Sequence, residues 1–128
     1  MASSRGRLGD SGEGIARRYL EGRGYQIFEL NYRCPFGEVD IVAQEGGCLV
    51  FVEVRTRRSL QFGTPEESVS RAKQRKLITT ALTYLQSCQP TPELWRIDLI
   101  SIRFSRGDPV PQVDHLRYAV QAGDEPIS

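Results

Sequence analysis

The stretch Gly37-Glu38-Val39-Asp40-Ile41-Val42-Ala43-Gln44-Glu45-Gly46-Gly47-Cys48-Leu49-Val50-Phe51-Val52-Glu53-Val54-Arg55-Thr56-Arg57 decides the fold. Two β-branched runs flank a Gly46-Gly47 pair, the composition of a hairpin with a two-residue turn. With those glycines at the centre of the turn, Asp40 faces Glu53 and Glu38 faces Arg55. Both pairs share one face, because side chains alternate along a strand. The other face receives Val39, Ile41, Ala43, Val50, Val52 and Val54, an apolar set that must pack on another element. Carboxylates directly opposite one another have Cβ atoms about 4.5–5.5 Å apart and repel. A cation relieves that repulsion: either a metal held between Asp40 and Glu53, or separate arginines, with Arg33, Arg55 and Arg57 as candidates. A three-residue turn would take the acids out of alignment.

Upstream, a helix is expected from Asp10 or Ser11 to about Arg23, with Ile15, Ala16, Tyr19 and Leu20 as its buried stripe. Asp10-Ser-Gly-Glu13 has the form of a capping box, which gives Glu13 a structural role. Glu13 also shares the inward side with Ala16 and Leu20, from where its carboxylate could reach the face carrying Asp40. Tyr25 to Tyr32 reads as a first strand and Arg33 to Phe36 as the turn into the hairpin. Downstream, Thr64-Pro65-Glu66-Glu67 is a strong helix start, so a second helix is expected from Pro65 to Gln86. Its apolar positions are Val69, Ala72, Leu77, Ala81, Leu82 and Leu85, and Pro90 and Pro92 forbid its continuation. Arg71, Lys73, Arg75 and Lys76 crowd its first half. Such a run is either a solvated face or a surface suited to phosphates. Trp95 to Phe104 is apolar enough to be buried on both faces, as in a strand parallel to its neighbour across a helical crossover. Asp98 inside it needs a partner, and Arg96 or a hairpin arginine could serve. Residues 105–113 read as a Gly/Pro loop, and Leu116 to Gln121 as a short strand or helical turn.

The order helix, three antiparallel strands, helix, strand implies one mixed sheet flanked by helices, an α/β architecture. At 128 residues a single domain can bury a core without disulfides or metals as staples. Its globular part is expected at about 9–120, with 1–8 and 122–128 flexible. The 17 basic and 16 acidic residues nearly cancel, so a nucleic-acid surface must come from clustering rather than global charge. Three widely spaced cysteines and one histidine argue against a zinc site and against a disulfide framework, and fit a reducing cytosol. No apolar run reaches the ~18 residues that would span a membrane. The expected location is the cytoplasm.

Two or three facing carboxylates with a nearby cation suit Mg²⁺, which takes oxygen ligands and keeps several waters. Held there, such an ion can acidify a water and neutralise charge at a phosphodiester.

Asp40 on one strand, then Glu53-Val54-Arg55 on the next, resembles the acid, acid-x-lysine pattern of the PD-(D/E)XK nucleases. The wider chain resembles the YraN-like family of small bacterial proteins, uncharacterised and similar in turn to archaeal Holliday-junction resolvases. The residues carrying that resemblance are Gly12-Glu13, Ala16, Tyr19-Leu20, Gly24-Tyr25, Asn31-Tyr32-Arg33, Gly37 to Asp40, Phe51 to Arg57, Phe62-Gly63, Lys73 and Arg96-Ile97-Asp98. The resemblance implies a restriction-endonuclease-like core in the order α-β-β-β-α-β. It further implies metal-dependent cleavage of DNA phosphodiesters, structured or branched DNA included, with Mg²⁺ or Mn²⁺ held by Asp40, Glu53 and Glu13. Homodimers on two-fold branched DNA follow by analogy with the resolvases. Arg55 falls where the pattern has lysine. It stays protonated and cannot take a proton from water, but it can hold a phosphate. The alternative expectation is therefore a non-catalytic nucleic-acid-binding domain, with Arg71, Lys73, Arg75 and Lys76 as its contact surface.

Overall fold

The computed structural model describes residues 12–58 and 69–120. Helix α1 spans Gly12–Gly22, strands β1, β2 and β3 span Gln26–Cys34, Gly37–Glu45 and Cys48–Arg58, helix α2 spans Arg71–Gln86, and strands β4 and β5 span Leu94–Phe104 and Gln112–Val120. The strands form one sheet in the order β1-β2-β3-β4-β5. Only β3 and β4 run parallel, and the other neighbours are antiparallel. The expected mixed α/β sheet is therefore present, with one strand more at its far edge.

The hairpin register is the expected one. Val42 pairs with Phe51 and Glu45 with Cys48, and Gly46 takes φ +59° at the first central turn position, where a type II′ turn demands glycine. β4 is buried from Arg96 to Ile102, as a strand covered on both faces must be. On one face Val42, Leu49, Phe51, Ile97 and Leu99 pack with Leu77, Ala81 and Leu85 of α2. On the other, Ile41, Ala43, Val50, Val52, Ile100 and Ile102 pack with Ala16 and Leu20 of α1. The helices thus cover opposite faces of the sheet.

Several boundaries depart from expectation. Alternation in β2 breaks at Asp40: Val39 joins the α2 core, while Ile41, two residues on, joins the α1 core. The break is matched in β1, where Tyr32 lies against the first core and Leu30 against the second. Asn31 between them has φ +55°, a left-handed conformation that asparagine tolerates and that turns the next side chain to the other face. The second helix does not run continuously from Pro65. Ser70 is extended (φ −68°, ψ 164°) and its Oγ accepts the Lys73 N–H at 3.1 Å, so the described helix starts at Arg71 with a serine cap. The Thr64-Pro65 start, the Asp10 half of the Glu13 capping box and the two expected flexible ends lie outside the described residues. Ala72 and Leu82 are not buried, because the stripe facing the sheet follows Leu77, Ala81 and Leu85 at four-residue steps. β5 begins at Gln112, inside the expected loop, and pairs with β4 along nearly its whole length. No described helix is long and apolar enough to cross a membrane.

Candidate active site

Asp40 sits where β2 and β3 part. Their ladder ends at Ile41 and Val52, and beyond it Asp40 Oδ2 accepts the Val54 N–H at 2.7 Å. The carboxylate stands in for a backbone acceptor, which fixes it beside β3. Glu53, one residue before Val54, projects on the α2 side with Phe51 and Leu99 and is 6% exposed. The two acids come together as the register requires. Burial pushes both carboxyls above their usual range. The charge of Glu38 adds to the rise at Asp40, and the charge of Asp40 to the rise at Glu53. The Val54 N–H acts the other way on Asp40, and Lys73 and Arg55 act the other way on Glu53.

Two cations reach one oxygen of this pair. Arg55 Nε lies 3.4 Å from Glu53 Oε2, and Lys73 Nζ lies 3.5 Å from the same atom. Arg55 Nε is buried without a hydrogen bond of good geometry, so its contact with Glu53 is a charge pair. Glu38 does not face Arg55 as expected. It pairs with Arg33 Nε at 3.1 Å across β1 and β2, because the strands have already separated at Asp40. The basic run on α2, expected to act as one phosphate-binding surface, is divided by the structure. Lys73 turns in to Glu53, while Arg71, Arg75 and Lys76 are exposed on α2. Nothing in the spacing of the run singles out Lys73, since that depends on where the helix is capped.

Glu13 is not brought to the acid pair. Its Oε1 accepts a hydrogen bond from Asn31 Nδ2 at 3.3 Å, and Asn31 lies beside the Asp40 position on β1. Glu13 is thus tied to β1 at the position next to Asp40. Among the described residues no group of three His, Cys, Asp or Glu side chains is close enough to hold an ion.

The opposite face holds a second polar cluster. Asp98, fully buried, accepts from Arg96 Nε at 3.0 and 3.1 Å, from the Tyr118 N–H at 3.0 Å, and lies 2.8 Å from His115 Nε2. Arg96 Nη2 reaches Tyr25 Oη at 2.8 Å and Glu45 Oε1 at 2.9 Å, and His115 Nδ1 meets Tyr19 Oη at 3.2 Å. Burial would raise the Asp98 carboxyl, but His115, Arg96 and the Tyr118 N–H outweigh it and hold Asp98 below its usual range. Both Asp98 oxygens and both His115 nitrogens have partners, which makes the cluster a tie between α1, β4 and β5.

Fold and site define an α/β protein with a cation-flanked acid pair, Glu53 buried and Asp40 half-buried, on two adjacent antiparallel strands. The profile of the uncharacterised protein family UPF0102 matches residues 12–102. A UPF0102 protein of Rhodococcus opacus (strain B4) is 44% identical over 112 residues, covering 88% of this chain and 94% of the relative. That of Roseiflexus castenholzii (strain DSM 13941 / HLO8) is 42% identical over 122 residues, 94% of this chain and 98% of the relative. That of Moorella thermoacetica (strain ATCC 39073 / JCM 9320) is 43% identical over 119 residues, 93% and 99%. The chain belongs to the UPF0102 family, the YraN-like family its motifs resemble.

Proposed function

We propose that Asp40 and Glu53 hold a Mg²⁺ or Mn²⁺ ion and that the protein is a metal-dependent endonuclease of DNA phosphodiester bonds, structured or branched DNA included. The observation that carries this reading is the acid pair itself: two half-buried to buried carboxylates, each raised by burial and aggravated by a neighbouring negative charge. A fold accepts that cost when a ligand offsets it, and a hard dication with oxygen preference matches the donors. Asp40 and Glu53 supply only oxygen and stand on strands, so waters and substrate oxygens would complete the shell. When bound, the ion would acidify a water and neutralise charge on the phosphodiester.

The chain's own residues divide the remaining work. The Val54 N–H aims Asp40, and the Phe51-to-Val54 strand aims Glu53. Arg55 can offer its outer N–H groups to a phosphate oxygen. Arg71, Arg75 and Lys76 are exposed on the helix that brings Lys73 to Glu53, a basic surface suited to the adjoining backbone of a nucleic acid.

Calorimetric titration with Mg²⁺, run beside a cleavage assay on linear, flapped and four-way DNA, tests the reading. The wild type should bind one ion and cleave, and Asp40→Ala or Glu53→Ala should lose binding and lower cleavage by two or more orders of magnitude, on the order of what loss of a central electrostatic contact costs. Equal Mg²⁺ binding by wild type and both variants overturns it. Salt-sensitive DNA binding with no ion bound would establish the non-catalytic binding domain instead.

A further inference from the structure

Glu53 Oε2 is approached by Arg55 Nε at 3.4 Å and by Lys73 Nζ at 3.5 Å, and the two cations are not equivalent. Arg55 is two residues from Glu53 on the same strand, and its Nε is buried without a hydrogen-bond partner. Lys73 crosses from α2, and its ammonium is a compact point charge with three rotatable donors on an unbranched stem. Its backbone is fixed by the Ser70 cap, and its side chain is 35% exposed. The Cα is therefore anchored while the side chain stays partly open to solvent, as that of Arg55 does. What separates the two cations is the element each comes from and the shape of its charged group. No acidic residue occupies the first turn of α2, so nothing on that turn competes with Glu53 for it.

We propose that Lys73, delivered by helix α2, is the lysine of this site: it neutralises Glu53 in the metal-free protein and transfers to the substrate phosphodiester when Glu53 is engaged by the dication. This rests on the metal-site reading above. It assigns Lys73 a role distinct from the backbone-gripping one of Arg71, Arg75 and Lys76. The physical reason is competition. A cation resting on Glu53 Oε2 opposes a dication at the same oxygen, so metal binding releases the ammonium. Its three N–H donors then lie beside the open edge of the acid pair, where a non-bridging phosphate oxygen would be held. Arg55, tied to its own strand, stays with Glu53 and orients it. The strand position that lacks a lysine is thus served from a helix, through space rather than through sequence.

The test exploits effects of opposite sign. Lys73→Gln removes a competitor and a substrate contact at once. Mg²⁺ should bind about two- to fivefold more tightly, the range expected when one partly exposed ion pair is lost. The single-turnover rate at saturating Mg²⁺ should fall on the order of a hundredfold. Lys73→Arg should return Mg²⁺ affinity to the wild-type value and recover part of the rate, and thermal melts should confirm that both variants fold. A lysine that only braced the fold would move both readouts together. Unchanged or weaker Mg²⁺ affinity in Lys73→Gln overturns the proposal, as does a wild-type rate in that variant. A wild type that binds Mg²⁺ but cleaves nothing overturns the substrate half. If Asp40→Ala and Glu53→Ala bind Mg²⁺ like the wild type, it is the metal-site reading that fails.

Discussion

Asp40 does two things with one carboxylate. Through Oδ2 it holds the Val54 N–H where the β2–β3 ladder ends, and it brings negative charge to Glu53. Its carboxyl is raised first by burial and then by Glu38, so the folded protein binds a proton there more tightly than the unfolded chain does. A raised carboxyl costs stability once it is ionised. In the metal-free protein the contribution of this carboxyl to stability should therefore fall as pH rises from the ordinary carboxylate range, about 4, through the raised folded value. That is opposite in sign to the contribution of Asp98, whose carboxyl is lowered. Asp40→Asn keeps an acceptor for Val54 and removes the charge. Thermal melts in chelator should show the Asp40→Asn protein more stable than wild type at neutral pH, with the gap closing towards about pH 4; a gap that widens in acid would show the charge to be favourable. The nearness of Asp40 to Glu53 is legible in the sequence, because a Gly46-Gly47 turn leaves one register, although the ladder itself ends one residue short of them. The break in that alternation is not, since it depends on Asn31 of a neighbouring strand adopting φ +55°.

At the scale of elements, β4 and β5 are joined by more than their ladder. Their pairing slips between Ile97 and Leu99, and the displaced Tyr118 N–H, on a residue with φ +56°, is taken by Asp98 Oδ1. Arg96 and Asp98 are a buried ion pair, nearly and fully inaccessible, so breaking it from one side leaves an uncompensated charge. Asp98→Ala should cost about 3–5 kcal/mol in urea denaturation. Arg96→Met combined with Asp98→Leu should cost less than Asp98→Ala alone, because no buried charge is stranded. A double variant less stable than Asp98→Ala would mean that the contacts to His115 and Tyr118 outweigh the ion pair. The need of Asp98 for a partner and the candidacy of Arg96 follow from an acid inside an apolar strand. The part played by His115 does not: it stands on β5, in a stretch whose alternation is too weak to announce a strand. The start of α2 departs from expectation for a related reason. Thr64-Pro65 is the stronger local start signal, yet Ser70 caps the described helix, because packing of Val69 and Leu77 against the sheet chooses the phase of the helix.

For the molecule as a whole, the proposed metal site carries a prediction about stability. An ion bound by the folded state alone raises stability by RT ln(1 + [L]/Kd), about 2.7 kcal/mol at a hundredfold excess over Kd. Mg²⁺ should therefore raise Tm, chelator should reverse the rise, and Asp40→Ala should abolish it; an equal rise in that variant would place the ion elsewhere. The sequence alone determined the order of elements from α1 to β4, the hairpin register and the nearness of Asp40 to Glu53. All of these rest on local periodicity, on turn chemistry and on the two-residue repeat of a strand. Only the tertiary structure decided that Lys73 rather than its neighbours reaches Glu53, that Glu13 stops at Asn31, and that Val39 and Ile41 lie on opposite faces. Each of those depends on where one element docks against another. That docking is set by burial summed over the whole core, which no short stretch of the chain encodes.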